Sequence, residues 1–497
     1  MSKGPGRLEV HGLTGRIGGP LGRHARVSSG LWFDPVPWTI AAATFTWLVL
    51  MVRQVPCLQT VVGEVPNAFT RLCYSDIPVL YQNRSAIWSG GALFTARLGE
   101  SPLEYPALTG GFIWVARWLS DVFGAVVTPH ADPAQVLAAA NIFWAVNAVM
   151  LAACFAVLVW AHLQMGRDSG SPHTNGVRVR AWDALFIAAA PAVMMAGLIN
   201  WDLFAVALTS VGLLLWSRKR PFAAGMLIGL AVAVKFYPLA LLPVILLLCV
   251  RAGRLKAFGQ FAGGAVLAWV VANLPVLVSP SMVFNFSSWH HFWAAFSTNF
   301  SGWSYFWVYN AGRGADFGSM WSLLEHVGIP LLNVSVAEAV SLLLAGLFIV
   351  GLTLAAPRRP RLAQVALLVL VAFLVFNKVY SPQYVLWLLP LLVLARPVVL
   401  DVSVFAVSEG LYFLAIWGHL ANKLTTANGH EWLYWLAILL RIGVQIWLAV
   451  RVVNDIQHPW IDPVRGPFID DPIGGVLDHQ PDVVWLSTTR SPGRADQ

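Results

Sequence analysis

The sequence predicts an all-α protein that crosses a membrane many times, and three observations predict it. Of the 497 residues, 58% are hydrophobic and only 11% are charged, where a soluble domain carries about 25% charged residues. The mean hydropathy is +0.67. Apolar runs close to the length of a bilayer-spanning helix, about 17 to 25 residues, recur along the chain, and runs of that kind imply helices and not a barrel.

Residues 1–36 carry Lys3, Arg7, Arg16, Arg23 and Arg26 with several glycines and no apolar core. They read as a disordered cytoplasmic tail and not as a signal peptide. Thirteen apolar stretches follow, near 37–54, 106–127, 136–162, 182–199, 201–217, 221–235, 238–250, 257–279, 333–355, 361–376, 384–396, 399–419 and 431–451. The membrane domain is therefore expected over 37–451, with long loops at 55–105 and 280–330. Residues 452–497 are polar, Pro-rich and acidic, and read as a second cytoplasmic tail. The net charge of +8 is clustered at helix ends, which points to topology and excludes a nucleic-acid-binding surface. Cys154 and Cys249 fall inside apolar runs and suit small core residues. Cys57 and Cys73 share one loop, where a disulfide is one of two open alternatives. No Cys and His spacing suits a zinc site.

Short loops rich in Lys and Arg stay on the cytoplasmic side. Arg167 to Arg180, Arg218-Lys219-Arg220, Arg251 to Lys256 and Pro357 to Arg361 are such loops. Placing them inside puts Asn200-Trp201-Asp202, Lys235-Phe236-Tyr237-Pro238, the 280–330 loop, Asn377 to Tyr384 and His419 to Glu431 outside. The parity fails only near the start, so either 106–127, with Arg117 and Asp121, is interfacial or re-entrant, or 221–250, broken at Lys235 to Pro238, counts as one span and the basic loops before it lie outside; the first is preferred. About twelve spans with both tails inside result. In the first external loop, Ser75 is a good N-cap, and Ile77, Leu80, Tyr81, Arg84, Ile87 and Trp88 recur at helical spacing. This predicts an amphipathic surface helix with Asp76 at its start. The 280–330 loop carries His290 and His291 among tryptophans.

Each polar group admits a structural and a chemical role. Asp76 suits a helix N-terminus electrostatically, and suits a general base if shielded from bulk water. Glu104-Tyr105-Pro106 suits a helix start. Asp202 and Lys235 lie at the ends of apolar runs, where each must find a partner, a cavity or the interface. Lys378 comes with Asn377, Tyr380, Ser381, Gln383 and Tyr384 within eight residues, more polar chemistry than a turn needs, which suggests a pocket wall. All these groups fall on one predicted side. A base and phosphate-holding cations beside lipid describe glycosyl transfer from a lipid-phosphate donor.

The segments Tyr74-Ser75-Asp76-Ile77-Pro78, Glu104-Tyr105-Pro106, Asn200-Trp201-Asp202, Lys235-Phe236-Tyr237-Pro238 and Asn377-Lys378-Val379-Tyr380-Ser381-Pro382-Gln383-Tyr384 together resemble family 87 of the C-type integral-membrane glycosyltransferases. That family includes actinobacterial polyprenol-phosphate-mannose-dependent mannosyltransferases, and the resemblance runs from about residue 37 to 451. It implies the C-type glycosyltransferase fold, with interfacial helices in the long first external loop and a catalytic aspartate there, which falls on Asp76. It assigns donor-phosphate contacts to Lys378 and Gln383, and to His290 or His291, with Arg84 as a further candidate. Glu104, Tyr105, Asp202, Lys235, Asn377 and Tyr380 are the remaining expected substrate contacts.

The first loop lacks an Asp-x-Asp pair, so no metal and no cofactor are expected. The implied partners are a polyprenyl-phosphate sugar donor, a membrane glycolipid or glycan acceptor and the lipid bilayer, and not nucleic acid. The implied reaction is an inverting transfer on the external face of the cell membrane, with mannose as the leading sugar. An arabinofuranose donor fits the same residues. A transporter or flippase is the alternative of a different class; such proteins place their sites near the midplane between repeated halves, and no internal repeat is visible in this chain.

Overall fold

The computed structural model describes residues 34–89, 93–94, 101–128, 130–168, 179–278, 289–329, 333–465 and 470–484, with backbone alone for 167, 168, 179, 289–296, 298 and 299. Among the described residues every regular element is a helix. Six helices are long and apolar enough to cross a membrane: Pro35–Cys57, Pro133–Gly166, Leu255–Leu277, Val334–Ala355, Val399–Leu420 and Glu431–Gln457. Shorter apolar helices pack among them at Asp202–Ser217, Pro221–Val234, Tyr237–Arg251, Leu362–Phe376 and Pro382–Ala395. The division follows burial. Leu362–Phe376 and Val385–Ala395 are buried almost all round, whereas Val334–Ala355 buries only Ile349 and Thr353 and leaves Leu343, Leu344, Leu347 and Phe348 exposed to lipid.

Close approach of two helices is built on small residues. In Pro221–Val234, a Cβ on Gly225 would lie 1.9 Å from the Phe261 carbonyl oxygen, and one on Gly229 would lie 2.1 Å from that of Ala265. Backbone therefore packs directly on backbone, the device membrane helices use where water supplies no driving force between them. At Lys235 the chain turns extended, with φ −151° and ψ 145°. This break separates Pro221–Val234 from Tyr237–Arg251 and leaves the ammonium at a helix end.

The loops gather at two ends of the bundle. At one end, Arg251, Arg359 and Arg361 meet Asp482 and Asp462 of the C-terminal segment, and Trp216 donates to the Gly474 carbonyl at 3.1 Å. At the other end lie Asp76, Asp202, Lys235 and the turn before Val385. The described parts of the basic loops meet at the first end: Arg180 donates to the Val464 carbonyl, Arg361 pairs with Asp462 and Arg251 with Asp482; most of the loop Arg167 to Arg180 lies outside the described residues.

Several expectations are corrected. The stretch 182–199 is no single helix; it is split into Val179–Ala184, Leu185–Ala188 and Pro191–Ala196, since Pro191 lacks the N–H that would continue the preceding turn. The surface helix starts at Asp76, with Ser75 Oγ accepting from the Ile77 amide at 3.3 Å, but it stops at Asn83 and resumes as Ser85–Trp88. The 280–330 loop contains the 24-residue helix Trp289–Gly312 and the short helix Met320–His326. The acidic C-terminal stretch is a packed element over much of its length, not a free tail: Val464, Ile473 and Leu477 are buried. Of the two alternatives left open for Cys57 and Cys73, the disulfide is the one formed.

In the segment 106–127, Thr109 Oγ1 donates to the Val234 carbonyl at 2.7 Å. Farther along it, Arg117 and Asp121 pair at 3.0 Å and act electrostatically on Tyr81 of the surface helix. Both contacts tie this helix to elements of the Asp76 end.

Candidate active site

The centre of the polar end is assembled from four separate stretches of sequence. The Asp76 amide donates to the Ile199 carbonyl at 2.7 Å, which docks the surface helix against the turn Asn200-Trp201-Asp202. Tyr105 Oη donates to Asp76 Oδ2 at 3.2 Å, and the Tyr74 phenol also adjoins this carboxylate. Asp76 is half-buried. Burial pushes its carboxyl above the ordinary carboxylate range, against the opposing effects of the Tyr74 phenol, the Lys235 charge and the Tyr105 hydrogen bond. Burial and the neighbouring Asp76 charge push the Tyr105 phenol well up, so it stays a donor.

Lys235 and Asp202 form the second half of the site. Their side chains pair at 3.0 Å, with Lys235 16% exposed and Asp202 only 1%. Trp387 Nε1 donates to the same Asp202 oxygen at 3.2 Å, and the Lys235 ammonium lies 5.0 Å from the centre of the Tyr105 ring. Asp202 is thus anchored through Oδ1, while Oδ2 is buried without a hydrogen-bond partner among the described residues. Tyr237 and Tyr384 sandwich Trp387, with ring centres at 4.6 and 3.9 Å. The result is a carboxylate held by one phenol and adjoined by a second, beside an ion pair and an aromatic wall. Such a group can take a proton from a hydroxyl that enters its open side.

Of the other sequence-selected residues, Arg84 pairs with Glu104 and donates to the Ser101 carbonyl at 2.9 Å. That link ties the two limbs of the first loop together just behind Tyr105. Lys378 points to another partner set: its ammonium donates to the Ala311 carbonyl and to Ser335 Oγ, both at 3.2 Å, and lies 3.8 Å from the Glu338 carboxylate. Tyr380 Oη donates to Glu409 at 3.0 Å, with the Arg441 guanidinium 3.4 Å over its ring. Gln383 is buried in the turn Pro382–Tyr384, and Asn377 ends the helix Leu362–Phe376. His290 and His291 open the helix Trp289–Gly312, but their side chains lie outside the described ones.

The structure therefore brings Asp76, Tyr105, Asp202 and Lys235 together, and places Arg84 and Glu104 beside them. It also adds Tyr74, Trp387 and Tyr384. Trp387 sits in an uninterrupted apolar run, so no local pattern marks it; Tyr74 and Tyr384 stand in segments that carry the family resemblance, and that was their signal.

A helical bundle with six helices apolar enough to cross a membrane, and a half-buried carboxylate site at one end, defines a class, the multi-pass membrane proteins with a polar site among helix ends. The family model of glycosyltransferase family 87 matches residues 122–376, more than half of the chain. The protein belongs to glycosyltransferase family 87. No curated protein matches the chain. The matched region contains Asp202 and Lys235, begins after Asp76 and Tyr105, and ends two residues before Lys378.

Proposed function

We propose that this membrane glycosyltransferase moves a sugar, mannose first among candidates, from a polyprenyl-phosphate donor to a membrane glycolipid or glycan, with Asp76 as the general base. The observation that carries the proposal is the Asp76 carboxylate, half-buried, gripped by Tyr105 at 3.2 Å and adjoining the Lys235–Asp202 pair. In the step, the acceptor hydroxyl gives its proton to Asp76 as its oxygen bonds to the anomeric carbon. The bond from that carbon to the phosphate oxygen breaks, and polyprenyl phosphate leaves with the electron pair. One displacement inverts the anomeric centre, by the logic that separates inverting from retaining hydrolases, so a β-linked donor gives an α-glycoside. Asp202 Oδ2 is suited to accept a hydrogen bond from a sugar hydroxyl.

The site lies at the end of the bundle opposite the basic loops. By the positive-inside rule that end faces outward, so the enzyme works on the external face of the cell membrane, with about twelve spans. A lipid-phosphate leaving group suits that face because it dispenses with nucleotide sugars.

The test is transfer by purified full-length protein in nanodiscs, using radiolabelled polyprenyl-phosphate-mannose and extracted membrane glycolipids. Wild type is expected to give labelled glycolipid, and Asp76→Ala to lose at least 100-fold in rate, the lower end of a typical general-base contribution of about 10²–10⁴. Normal transfer by Asp76→Ala overturns the mechanism. Transfer only from a polyprenyl-phosphate-arabinose donor corrects the sugar, and transbilayer movement of lipid without transfer corrects the class.

A further inference from the structure

We infer that Arg313 is the cation that receives the donor phosphate, and that Lys378 is a positioning residue that holds the loop presenting it. This rests on the reading of the protein as a polyprenyl-phosphate-dependent transferase.

The donor capacity of the two cations differs. An ammonium has three N–H groups, and Lys378 faces three acceptors: the Ala311 carbonyl, Ser335 Oγ and the Glu338 carboxylate. Its side chain is 9% exposed, so an incoming phosphate would have to displace partners already in place. Arg313 has five N–H donors in a planar fork that matches phosphate geometry. Its side chain is 30% exposed and rests 5.6 Å from the centre of the Tyr309 ring, with Asp316 as its ion-pair partner. Arg313 is the more accessible of the two, and it carries donors that a single carboxylate does not exhaust.

Position also favours Arg313. The helix Trp289–Gly312 ends just before Arg313, and its Trp307 ring meets that of Phe236, the neighbour of Lys235, at 5.5 Å. The Tyr380 and Tyr384 rings meet at 5.8 Å, Tyr384 stacks on Trp387, and Trp387 holds Asp202. The loop that carries Arg313 therefore sits at the same end of the bundle as the Asp202–Lys235 pair.

The loop carrying Arg313 is pinned by the segment that contains Lys378. The Asp316 amide donates to the Lys378 carbonyl at 2.9 Å, and the Tyr380 amide donates to the Phe317 carbonyl at 3.3 Å. Gly318 adopts φ +75°, and a Cβ there would lie 1.9 Å from Tyr412 Oη. Its amide donates to Tyr434 Oη at 2.9 Å, and its carbonyl accepts from Arg441 at 2.6 Å. The Lys378 ammonium fixes the other side by tying Ala311 to Ser335 and Glu338 of the lipid-facing helix Val334–Ala355. Residues 311–318 are thus held on both flanks of Arg313.

The test uses full-length protein in nanodiscs, with sugar-free polyprenyl phosphate as the probe and polyprenol as the control. Polyprenyl phosphate is expected to raise the thermal midpoint of wild type, and polyprenol is not. Arg313→Gln should lose that shift and raise the donor KM at least tenfold while leaving the acceptor KM unchanged; Arg313→Lys should restore part of both. Lys378→Gln should raise the donor KM less, Lys378→Arg should recover it, and the double Gln variant should be no worse than Arg313→Gln alone, since the lysine acts through the arginine. An Arg313→Gln protein with the wild-type shift and donor KM overturns the inference, as does a wild type with no phosphate-dependent shift. Additive losses in the double variant overturn the positioning role of Lys378. A shift that depends on Arg313 in a protein that transfers no sugar leaves this inference standing and sinks the transferase reading instead.

Discussion

Asp76 is the residue on which function and stability pull in opposite directions. Its carboxyl is pushed above its unfolded value, chiefly by burial. For such a group, the stability contributed by the protonated form is fully present below the unfolded pKa and is lost as pH rises through the folded one. Asp76→Asn should therefore leave the thermal midpoint at pH 7 unchanged or raised, since an amide keeps an acceptor for Tyr105 without a buried charge. The same variant should transfer sugar at least 100-fold more slowly, as expected for loss of a general base. A midpoint that falls along with the rate would argue for a structural role. The wild-type rate should rise with pH through the elevated carboxyl pKa. Tyr105→Phe removes a hydrogen bond that favours the ionised carboxylate, so the acid limb of the pH–rate profile should move to higher pH; a limb that stays put would detach Tyr105 from the base.

At the scale of elements, the loop 313–319 shows how a helical membrane protein makes a rigid rim. Backbone groups of Asp316, Phe317 and Gly318 are bonded to Lys378, Tyr380, Tyr434 and Arg441. The helices behind it carry Glu409 and Arg441, whose burial inside the membrane domain is costly unless satisfied. Glu409 is met by Tyr380 Oη at 3.0 Å and Gln445 Nε2 at 2.8 Å. Gly318 is the weak point of this arrangement. Gly318→Ala places a Cβ on Tyr412 Oη and holds a non-glycine residue at φ +75°, conformational strain of about 1–3 kcal/mol. The expected outcome is a lower thermal midpoint together with a raised donor KM, measured on the same preparation. An unchanged donor KM would show that the loop does not present a donor contact.

At the scale of the molecule, the end opposite the site is closed by the C-terminal segment. Arg361, with no exposed surface, donates to both Asp462 oxygens at 2.8 and 2.9 Å. Arg251 and Arg359 both meet Asp482. Burial pushes the Asp462 carboxyl up, but the charge and hydrogen bonds of Arg361 outweigh it and hold the group below its ordinary value. Its stabilising contribution is therefore present above the unfolded pKa and lost as pH falls through the folded one. Removing one partner of a buried pair leaves the other charge uncompensated, at a cost of about 3–5 kcal/mol. Asp462→Asn should lower the thermal midpoint by several degrees without changing donor KM relative to acceptor KM. A variant as stable as wild type would show that the clasp does not hold the bundle.

The sequence by itself determined the class of protein, because apolar runs are a local property that a bilayer reads directly. It also determined which basic loops share an end, the start of the surface helix at Ser75-Asp76, and the family to which the chain belongs. It singled out Asp76, Tyr105, Asp202 and Lys235 from the scarcity of polar groups among apolar ones. Tertiary structure alone decided which of those groups meet. Asp76, Tyr105, Asp202, Lys235 and Trp387 span more than 300 positions, and no periodicity encodes contacts between distant helix ends. Only the packed chain shows Lys378 engaged with Glu338 while Arg313 keeps 30% of its side chain exposed, because a lysine's partner is set by three-dimensional reach and not by its neighbours in sequence. The acidic C-terminus looked free because Arg465 is the only arginine that pairs with its acids from within the described part of the segment. The other arginine partners lie 59 to 231 residues earlier, and the energy of pairing them is available only once the bundle has formed.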